Sequence, residues 1–248
     1  WQNSEIEGID IMLAIDVSTS MLAEDLKPNR LEAAKDVAAE FINGRPNDNI
    51  GITLFAGETF TQCPLTVDHA VLLDMIHNIK CGLITDGTAV GMGIANAVTR
   101  LKDSKAKSKV IILLTDGTNN KGDISPMTAA EIAKSFGIRV YTIGVGTNGM
   151  APYPYPVGNT VQYVSMPVEI DEKTLTEIAG TTDGNYFRAT SNSKLKEVYE
   201  EIDKLEKTKL NVKEYSKRDE EYHWFALAAF LCVLLEVLLR NSVLKKIP

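Results

Sequence analysis

The chain has 248 residues, which is enough for one sizeable α/β domain with a smaller appendage. Hydrophobic residues make up 44% and charged residues 24%, and this composition excludes an intrinsically disordered chain. The formal net charge is -7, and no helix rich in arginine and lysine offsets it, which excludes general nucleic-acid binding. We therefore expect a globular protein with a weak preference for cations.

Segments typical of strands and of helices alternate along the chain. The strand candidates are apolar runs at 9–17, 50–56, 60–65, 110–114, 139–145 and 184–189. Helical periodicity and end signals mark candidate helices near 29–41, 68–79, 89–101, 126–136, 171–179 and 195–205. The 110–114 run is apolar throughout, as in a central strand covered on both faces. The alternation predicts a doubly wound, mostly parallel sheet with helices on both faces.

The C-terminal part of the chain differs in composition from the rest. An uncharged run begins at Trp224, and after Glu236 the apolar residues resume as far as Leu239. As one helix this stretch would measure only about 24 Å, against about 30 Å for the hydrocarbon core of a bilayer. Aromatic and basic residues at its two ends nevertheless suit membrane interfaces, so we predict a transmembrane helix at 222–244. The alternative is a hydrophobic docking helix.

The segments on either side of this helix set the expected topology. A polar linker at 208–221 precedes it, and a basic tail at 245–248 follows it. Because positive residues favour the cytoplasmic side, the main domain at 1–207 is expected on the opposite side of the membrane. The first residue is Trp1 and no signal peptide is visible, so we expect a trimmed product.

Three cysteines, Cys63, Cys81 and Cys232, are too few for a disulfide framework and lack CxxC spacing. Cys63 and Cys81 could pair in an oxidising compartment. We expect instead that both cysteines are buried and reduced thiols.

Two acidic motifs follow apolar strands. Asp16 opens the sequence Asp-Val-Ser-Thr-Ser after the first strand, and Asp116 lies in Thr-Asp-Gly after the run at 110–114. Ligands bind beyond the carboxyl ends of strands in an open parallel sheet, and these two strands are expected to be neighbours. Two converging buried carboxylates would repel each other and lose hydration, and a hard divalent cation resolves both problems.

Hydroxyl groups accompany the two carboxylates. Ser18, Ser20 and Thr88 would supply neutral oxygen ligands, so the metal would carry few compensating charges and would accept one more anionic oxygen from outside. The predicted cofactor is Mg²⁺, with Mn²⁺ or Ca²⁺ as alternatives. A competing interpretation is a helix-capping turn followed by an unrelated Asp-Gly turn.

The order of these motifs resembles the metal-ion-dependent adhesion site (MIDAS) of von Willebrand factor type A (VWA) domains. The matching residues are DVSTS at 16–20, Thr88 within DGTAVGMG, and LLTDG at 113–117. The resemblance covers roughly 9–207 and implies a VWA or Rossmann-like fold. It also implies that the three hydroxyl residues bind the metal directly, and that the two aspartates act largely through bridging waters.

More narrowly, the chain resembles the membrane-anchored VWA proteins of the Bat (aerotolerance) family. The matching stretches are EGIDIMLAIDVSTSM, LKPNRLEAAKDVAAEFI, FAGETFTQCPLT, LLTDGTNN and RVYTIGVGTNG. The resemblance implies a C-terminal transmembrane helix in the bacterial inner membrane and a periplasmic VWA domain. It further implies partners among other Bat-type VWA proteins and a MoxR-type AAA+ ATPase system. The chain lacks the hydrophobic hairpin that usually precedes the domain in such proteins.

A glycine-rich segment at 144–149 matches the GxGxxG pattern of dinucleotide sites, but prolines follow where such a site needs the start of a helix. The proline-rich excursion at 150–166 is instead a protein-contact loop or a simple decoration. Candidate partner-binding residues are Glu58, Tyr153 and Tyr155.

These features predict an interaction module rather than an enzyme, with no nucleic acid and no small-molecule substrate. Its metal site would bind an acidic residue of a partner protein, within a bacterial envelope complex associated with stress tolerance. The alternative is a metal-assisted, phosphatase-like hydrolase that uses Asp16 or Asp116 as a base. No nucleophile with an adjacent base is visible, and the DxD pair of aspartyl-phosphate chemistry is absent from the sequence.

Overall fold

The structure, a computed structural model, describes residues 8–216 apart from 118, 148, 158, 159 and 169, together with separate positions between 226 and 239. The chain divides into two compact units, Trp1–Glu206 and Lys207–Pro248. The first unit contains the sheet and the candidate site.

Strands and helices alternate in the described residues. The strands are β1 (Asp10–Asp16), β2 (Asn49–Phe55), β3 (Thr59–Thr66), β4 (Lys109–Thr115), β5 (Arg139–Val145), β6 (Gly149–Val157), β7 (Thr160–Val168) and β8 (Tyr186–Ala189). The helices are α1 (Arg30–Asn43), α2 (His69–His77), α3 (Val90–Leu101), α4 (Pro126–Ser135), α5 (Glu172–Thr181) and α6 (Asn192–Ser216). A 3₁₀ turn, Thr19–Leu22, lies between β1 and α1. The predicted α/β architecture is confirmed.

Six strands form one sheet in the order β3-β2-β1-β4-β5-β8. All neighbouring pairs are parallel except β2 and β3, so β3 is an antiparallel edge strand. The strand order runs outward in both directions from β1, which makes the β1–β4 boundary a topological switch point. Ile15 of β1 pairs with Leu114 of β4. The residues that follow these two strands therefore meet at one edge of the sheet.

Helices cover both faces of this sheet. On one face, Val140 of β5 is buried with Ile94 of α3 and Ile178 of α5. Tyr141 points to the opposite face, where its hydroxyl donates to Glu206 of α6 at 2.5 Å. α1 packs against α6 through an aromatic pair. This double cover explains why the central strands are apolar along almost their whole length.

Local sequence signals set the helix ends. Asn29 caps α1 by accepting a hydrogen bond from the backbone N–H of Glu32 at 2.8 Å. Ser125 caps α4 in the same way, with Thr128 as donor at 3.1 Å, and a proline follows as the first helical residue. Gly137, at φ +65, ends the turn after α4. These ends lie where the sequence predicted them.

The proline-rich excursion is a β-hairpin rather than an irregular loop. β6 and β7 pair antiparallel and form a separate two-stranded sheet. Proline normally argues against a strand because it has no N–H donor. Here the carbonyl of Pro152 accepts from the backbone N–H of Glu24 at 2.9 Å, on the edge of β6 away from β7. Pro152 and Pro154 alternate along β6, so the missing donors all fall on this outer edge and the pairing with β7 is kept.

The prediction of a transmembrane helix at 222–244 is wrong as part of this fold. In the part of the chain that the structure describes, no helix combines the length and apolar composition needed to cross a membrane. Most of the predicted segment, and all of the basic tail at 245–248, lies outside the described residues. The physical reason is visible in the sequence, because the uncharged run ends at Glu236 after about 18 Å of helix, against a bilayer core of about 30 Å.

A buried polar cluster fixes α6 to the sheet at the end opposite the candidate site. The Glu206 carboxylate accepts hydrogen bonds from Tyr141 and from the hydroxyl of Ser108 at 2.8 Å, and it forms an ion pair with Arg139, whose Nε lies 2.9 Å from Oε1. Burial raises the pKa of Glu206, but the hydrogen bonds from Arg139 and Tyr141 outweigh it, and the pKa lies below the ordinary 4.5. Glu206 is therefore ionised in the folded domain.

Replacing Glu206 by Gln is expected to lower the free energy of unfolding by about 3 kcal/mol at neutral pH, because Arg139, whose side chain is only 13% exposed, would lose its anionic partner. The native contribution is fully present above the unfolded pKa of 4.5 and is lost as the pH falls through the lower folded pKa. Urea unfolding at pH 7 and pH 3 measures both effects. The exposed Glu201→Gln on the same helix is the control, and an equal loss in both variants would contradict the prediction.

Candidate metal centre

The ends of β1 and β4 bring two buried aspartates together. Asp16 is the last residue of β1, and Asp116 immediately follows β4. Both side chains are almost completely buried. The hydroxyl of Thr115 donates to Asp16 Oδ2 at 2.6 Å, and the backbone N–H of Ser18 donates to Asp16 Oδ1 at 2.9 Å. The two strand ends thus meet as the sequence predicted, and both oxygens of Asp16 already accept protein hydrogen bonds.

Two serine hydroxyls continue from Asp116. Ser20 Oγ donates to Asp116 Oδ1 at 2.7 Å, and Ser18 Oγ lies 2.9 Å from Ser20 Oγ. Because Ser20 gives its single hydroxyl proton to the carboxylate, Ser18 is the donor within the serine pair. Ser18 precedes the 3₁₀ turn and Ser20 lies within it, so this turn brings alternate side chains to the same place. The result is a continuous row of three side-chain oxygens.

Thr88 approaches the same place from the segment before α3. Its backbone N–H donates to Asn120 Oδ1 at 2.9 Å, and its carbonyl accepts from the Asn120 N–H at 3.0 Å. A Cβ at Gly117 would lie 3.3 Å from Thr88 Oγ1, so the glycine lets this hydroxyl come close to the Asp116 turn. The hydrogen bonds described for Thr88 all use its backbone, which leaves the hydroxyl available as a ligand.

Arg30, the first residue of α1, is buried against the Asp116 carboxylate. Its Nη1 donates to Asp116 Oδ2 at 2.7 Å, while Nε and Nη2 donate to the two oxygens of Asp25 at 2.7 and 2.6 Å. Only 2% of the Arg30 side chain is exposed. A buried guanidinium forms strong charge-assisted hydrogen bonds in a fixed geometry. Arg30 therefore neutralises part of the negative charge at the ends of the strands.

Asp25 extends this network to the base of the β6–β7 hairpin. Its Oδ2 accepts from the backbone N–H of Thr147 at 2.7 Å and from the Thr147 hydroxyl at 3.1 Å. Gly146, at φ +130, lies directly against the guanidinium of Arg30, where a Cβ would come within 2.6 Å of Nη2. This position requires glycine for two reasons, its backbone conformation and the absence of space. The segment that leads into the hairpin is thus fixed by the same arginine that binds Asp116.

The electrostatics of the site differ between its carboxylates. Burial raises the pKa of Asp16 to about 7, and repulsion from Asp116 adds to this effect. Burial also raises the pKa of Asp116, with the guanidinium of Arg30 opposing it. For Asp25, burial acts in the same direction, but the hydrogen bonds from Arg30 prevail and the pKa is lowered. A nearby cation would therefore favour the ionised form of both Asp16 and Asp116.

A cavity of about 430 Å³ lies beside these oxygens. Ser20, Thr88 and Asp116 contribute to its wall, and Tyr153 and Tyr155 of the hairpin contribute from another side. Two of the three residues predicted as partner-binding thus lie next to the metal-site oxygens.

Glu58, the third, lies elsewhere. It lines a separate cavity of about 460 Å³ together with Lys121, and its carboxylate accepts a hydrogen bond from the Thr85 hydroxyl at 3.3 Å.

The side-chain oxygens of this site fit a divalent cation that is held mainly by neutral ligands. Among the described residues, no group of three or more His, Cys, Asp or Glu side chains could hold a metal ion. The row formed by Ser18, Ser20 and Asp116, with the Thr88 hydroxyl nearby, offers only hard oxygen donors, the type that Mg²⁺ binds. Asp16, whose oxygens are occupied by protein donors, would act through water rather than directly.

Sequence reasoning missed the residues that hold the ligands in place. These supporting residues are Asp25, Arg30 and Asn120, together with Asp86, whose carboxylate accepts from both the N–H and the hydroxyl of Thr19. One signal was available for Arg30, since a positive residue in the first turn of a helix opposes the helix dipole and needs an anionic partner. Asp25 and Asn120 lie in irregular segments, where no periodicity indicates which way a side chain points.

Cys81 adjoins the metal-site turn. Its thiol donates to the Ser18 carbonyl at 3.4 Å, and burial raises its pKa to about 12, with nearby carboxylates adding to the effect. Cys63 and Cys81 are both free thiols, and Cys63 is buried as expected, whereas Cys81 is only partly buried. Cys232 lies outside the described residues.

Several known proteins are similar to this chain in sequence. A family model of the von Willebrand factor type A domain matches residues 10–201. An uncharacterized protein from Borreliella burgdorferi is 28% identical over 242 residues, which cover 97% of this chain and 71% of that protein. A UPF0353 protein from Mycolicibacterium paratuberculosis is 32% identical over 203 residues, which cover 76% of this chain and 58% of that protein. The chain thus spans little more than half the length of the mycobacterial relative.

Solved structures share the fold. BatB from Bacteroides thetaiotaomicron has 34% identity and a TM-score of 0.71, covering 81% of this chain and 100% of that one. An aerotolerance-related membrane protein from Bacteroides fragilis has 34% identity and a TM-score of 0.69, covering 79% and 100%. Proximal thread matrix protein 1 of the mussel byssus has 25% identity and a TM-score of 0.64, covering 80% and 45%, and its MIDAS motif is occupied by zinc.

The raised pKa of Asp16 gives the metal-free protein an unusual pH dependence. Between pH 3.8 and about 7 the folded state keeps a proton that the unfolded state has lost, so stability falls as the pH rises through this window and levels off above it. Urea unfolding in EDTA from pH 5 to pH 8 is expected to show this decline. Asp16→Asn cannot titrate and serves as the matched control, and an equal decline in that variant would refute the assignment.

Gly146→Ala is expected to destabilise the protein by about 2 kcal/mol more than Gly149→Ala and to weaken Mg²⁺ binding. Both glycines have positive φ, but only a Cβ at Gly146 would displace the Arg30 guanidinium, since nothing lies within 4 Å of a Cβ at Gly149. Thermal unfolding and calorimetric titration with Mg²⁺ measure the two effects. Equal stability and equal Mg²⁺ affinity of the two variants would show that the position of Arg30 does not depend on its close contact with Gly146.

Proposed function

The chain belongs to the von Willebrand factor type A domain family, and on that premise we propose that it is a protein-interaction module that binds an acidic side chain through a divalent cation. VWA domains generally serve adhesion and interaction rather than catalysis. The proposed cation is Mg²⁺, with Mn²⁺ or Ca²⁺ as alternatives. Ser18, Ser20 and Thr88 would hold it through their hydroxyls, with Asp16 and Asp116 acting through water.

The observation that carries this proposal is the row of oxygens formed by Ser18, Ser20 and Asp116, with contacts of 2.9 and 2.7 Å. Three side chains from two separate segments converge there without a basic residue between them. Each hydroxyl oxygen keeps lone pairs after its proton has been donated, and a further group can bind them. A cation does so, and the relative from mussel byssus supports this assignment because its MIDAS motif holds zinc.

The charge of the site explains why an acidic partner would be recognised. Asp16, Asp116 and Asp25 carry at most three negative charges, and Arg30, which contacts both Asp116 and Asp25, offsets one of them. The carboxylates would reach a divalent cation only through water, so ligands that are hydroxyls and water would leave the cation's own charge unneutralised where they bind it. Such a cation supplies an open coordination position that favours an anionic oxygen, and the cavity beside Ser20 gives a partner access to it.

The hairpin residues Tyr153 and Tyr155 are proposed as partner contacts, because they line the same cavity as the metal-site oxygens. Glu58 would contact a partner only beyond this cavity, beside Lys121.

We further propose that the module works in a bacterial membrane-associated complex connected with stress tolerance. Its similarity to BatB and to an aerotolerance-related membrane protein supports this setting. The proposed partners are other Bat-type VWA proteins and a MoxR-type AAA+ ATPase system, in accordance with the resemblance of the sequence motifs. Each would have to present an exposed Asp or Glu to the site.

The phosphatase-like alternative is disfavoured by the partners of the two carboxylates. A general base needs a carboxylate oxygen directed at its substrate. Asp16 already accepts from Thr115 and Ser18, while Asp116 accepts from Ser20 and Arg30. Neither carboxylate has the exposure that would let it take a proton from a water or a hydroxyl substrate.

Removal of both serine hydroxyls by Ser18→Ala/Ser20→Ala is expected to lower Mg²⁺ affinity at least tenfold in calorimetric titration, because two neutral ligands are lost. The exposed Ser135→Ala on α4 is the control and should bind as the unmodified protein does. Equal affinity in the double variant and the control would remove the basis for the metal site. A phosphatase assay with Mg²⁺ that showed turnover sensitive to Asp16→Ala would favour the hydrolase instead.

A further inference from the structure

The two faces of the β6–β7 hairpin differ in their position relative to the candidate metal site. In an antiparallel pair, directly opposite residues share a face, and Ala151 pairs with Met166 as Tyr153 pairs with Val164. One face therefore carries Ala151, Tyr153, Tyr155, Val164, Met166 and Val168, together with Gln162 opposite Tyr155, and we call it the apolar face. The opposite face carries Met150, Pro152, Pro154, Tyr163, Ser165 and Pro167.

The apolar face is the one turned to the metal-site cavity. With one exception, Pro167, the hairpin residues that line the cavity all belong to this face. Tyr155 remains 56% exposed, and Met166 and Val164 are each 46% exposed. An exposed group of large apolar side chains beside a ligand site marks a contact surface, since single exposed apolar residues are ordinary but a grouped set is not.

The hairpin is held firmly in this position. Its base is fixed by the hydrogen bonds from Thr147 to Asp25, and β6 is fixed by the bond from the Glu24 N–H to the Pro152 carbonyl at 2.9 Å. Pro152 and Pro154 restrict φ along β6. A surface that is already ordered costs little conformational entropy when a partner binds to it.

The outer edge of β6 does not favour recognition by strand addition. A strand added there would need N–H donors, and Pro152 and Pro154 provide none, while the Pro152 carbonyl is already used by Glu24. Recognition on this side of the cavity would therefore come from side chains packing on the apolar face.

We propose that the apolar face is the second half of the recognition site, and that its occupant is a protein segment in which an Asp or Glu is flanked by large aliphatic or aromatic side chains. This inference rests on the proposed metal-dependent function. A carboxylate bound beside Ser20 would lie in the same cavity as Tyr155 and Met166, so its neighbouring side chain would bury apolar surface against them. The metal selects the acidic side chain of the partner, and the apolar face selects the residues next to that side chain.

The test uses three synthetic peptides, Ac-Leu-Asp-Leu-NH₂, Ac-Gly-Asp-Gly-NH₂ and Ac-Leu-Asn-Leu-NH₂, titrated into the full chain with Mg²⁺ and followed by NMR chemical shifts. We expect the first to bind about tenfold more tightly than the second, because each leucine buries apolar area. The asparagine peptide should bind far more weakly than the first, and EDTA should abolish the binding of both aspartate peptides.

Met166→Ser and Met150→Ser are the matched variants, since both methionines are exposed on the same hairpin but lie on opposite faces. Met166→Ser should reduce the advantage of the leucine peptide to about threefold or less, and Tyr155→Ser should do the same, while Met150→Ser should leave it unchanged. Equal affinity of the two aspartate peptides, or equal effects of the two methionine variants, would overturn the inference and leave the metal site intact. No metal-dependent binding of either aspartate peptide would instead overturn the proposed function, and the inference with it.

Discussion

Repulsion between two buried carboxylates is the constraint on which the arrangement of this domain depends. Parallel pairing places the ends of β1 and β4 side by side. Asp16 ends β1 and Asp116 follows β4, and burial removes both carboxylates from water. Such a pair persists only when fixed donors or cations stabilise both charges. The serine turn after β1, the threonine that ends β4 and the first residue of α1 all direct donors at these carboxylates. The candidate site thus consists of the groups that stabilise the two carboxylates at these strand ends.

Arg30 gives this environment its particular balance. A site with only carboxylates would attract a cation strongly and satisfy its charge, whereas one guanidinium in contact with Asp116 reduces the negative charge without filling the cavity. The same side chain binds Asp25 in a two-pronged contact, and Asp25 in turn binds the segment before the hairpin. Charge at the strand ends and the position of the hairpin are therefore set by one network of hydrogen bonds.

The sequence predicted those features that depend on local order along the chain. Continuous apolar runs and helix caps such as Asn29 identified the alternating elements, and Asp16 and Asp116 followed from their place after two strands. The hairpin was not predicted, because prolines normally exclude a strand and only the pairing register shows that they fall on its outer edge. Arg30 was missed because Asp25 lies in an irregular segment and Asp116 is distant in sequence. Hydropathy, together with the aromatic and basic residues at the segment's ends, led to the wrong transmembrane helix.

The thiol of Cys81 points to the behaviour of this turn under oxidising conditions. Oxidants and alkylating reagents attack the thiolate, and a pKa of about 12 leaves only a trace of it at neutral pH. Burial, with the nearby carboxylates adding to its effect, keeps the Cys81 sulfur protonated, and its thiol donates to the Ser18 carbonyl. Peroxide would therefore leave the Cys81 thiol, and with it the serine turn that it contacts, chemically unchanged.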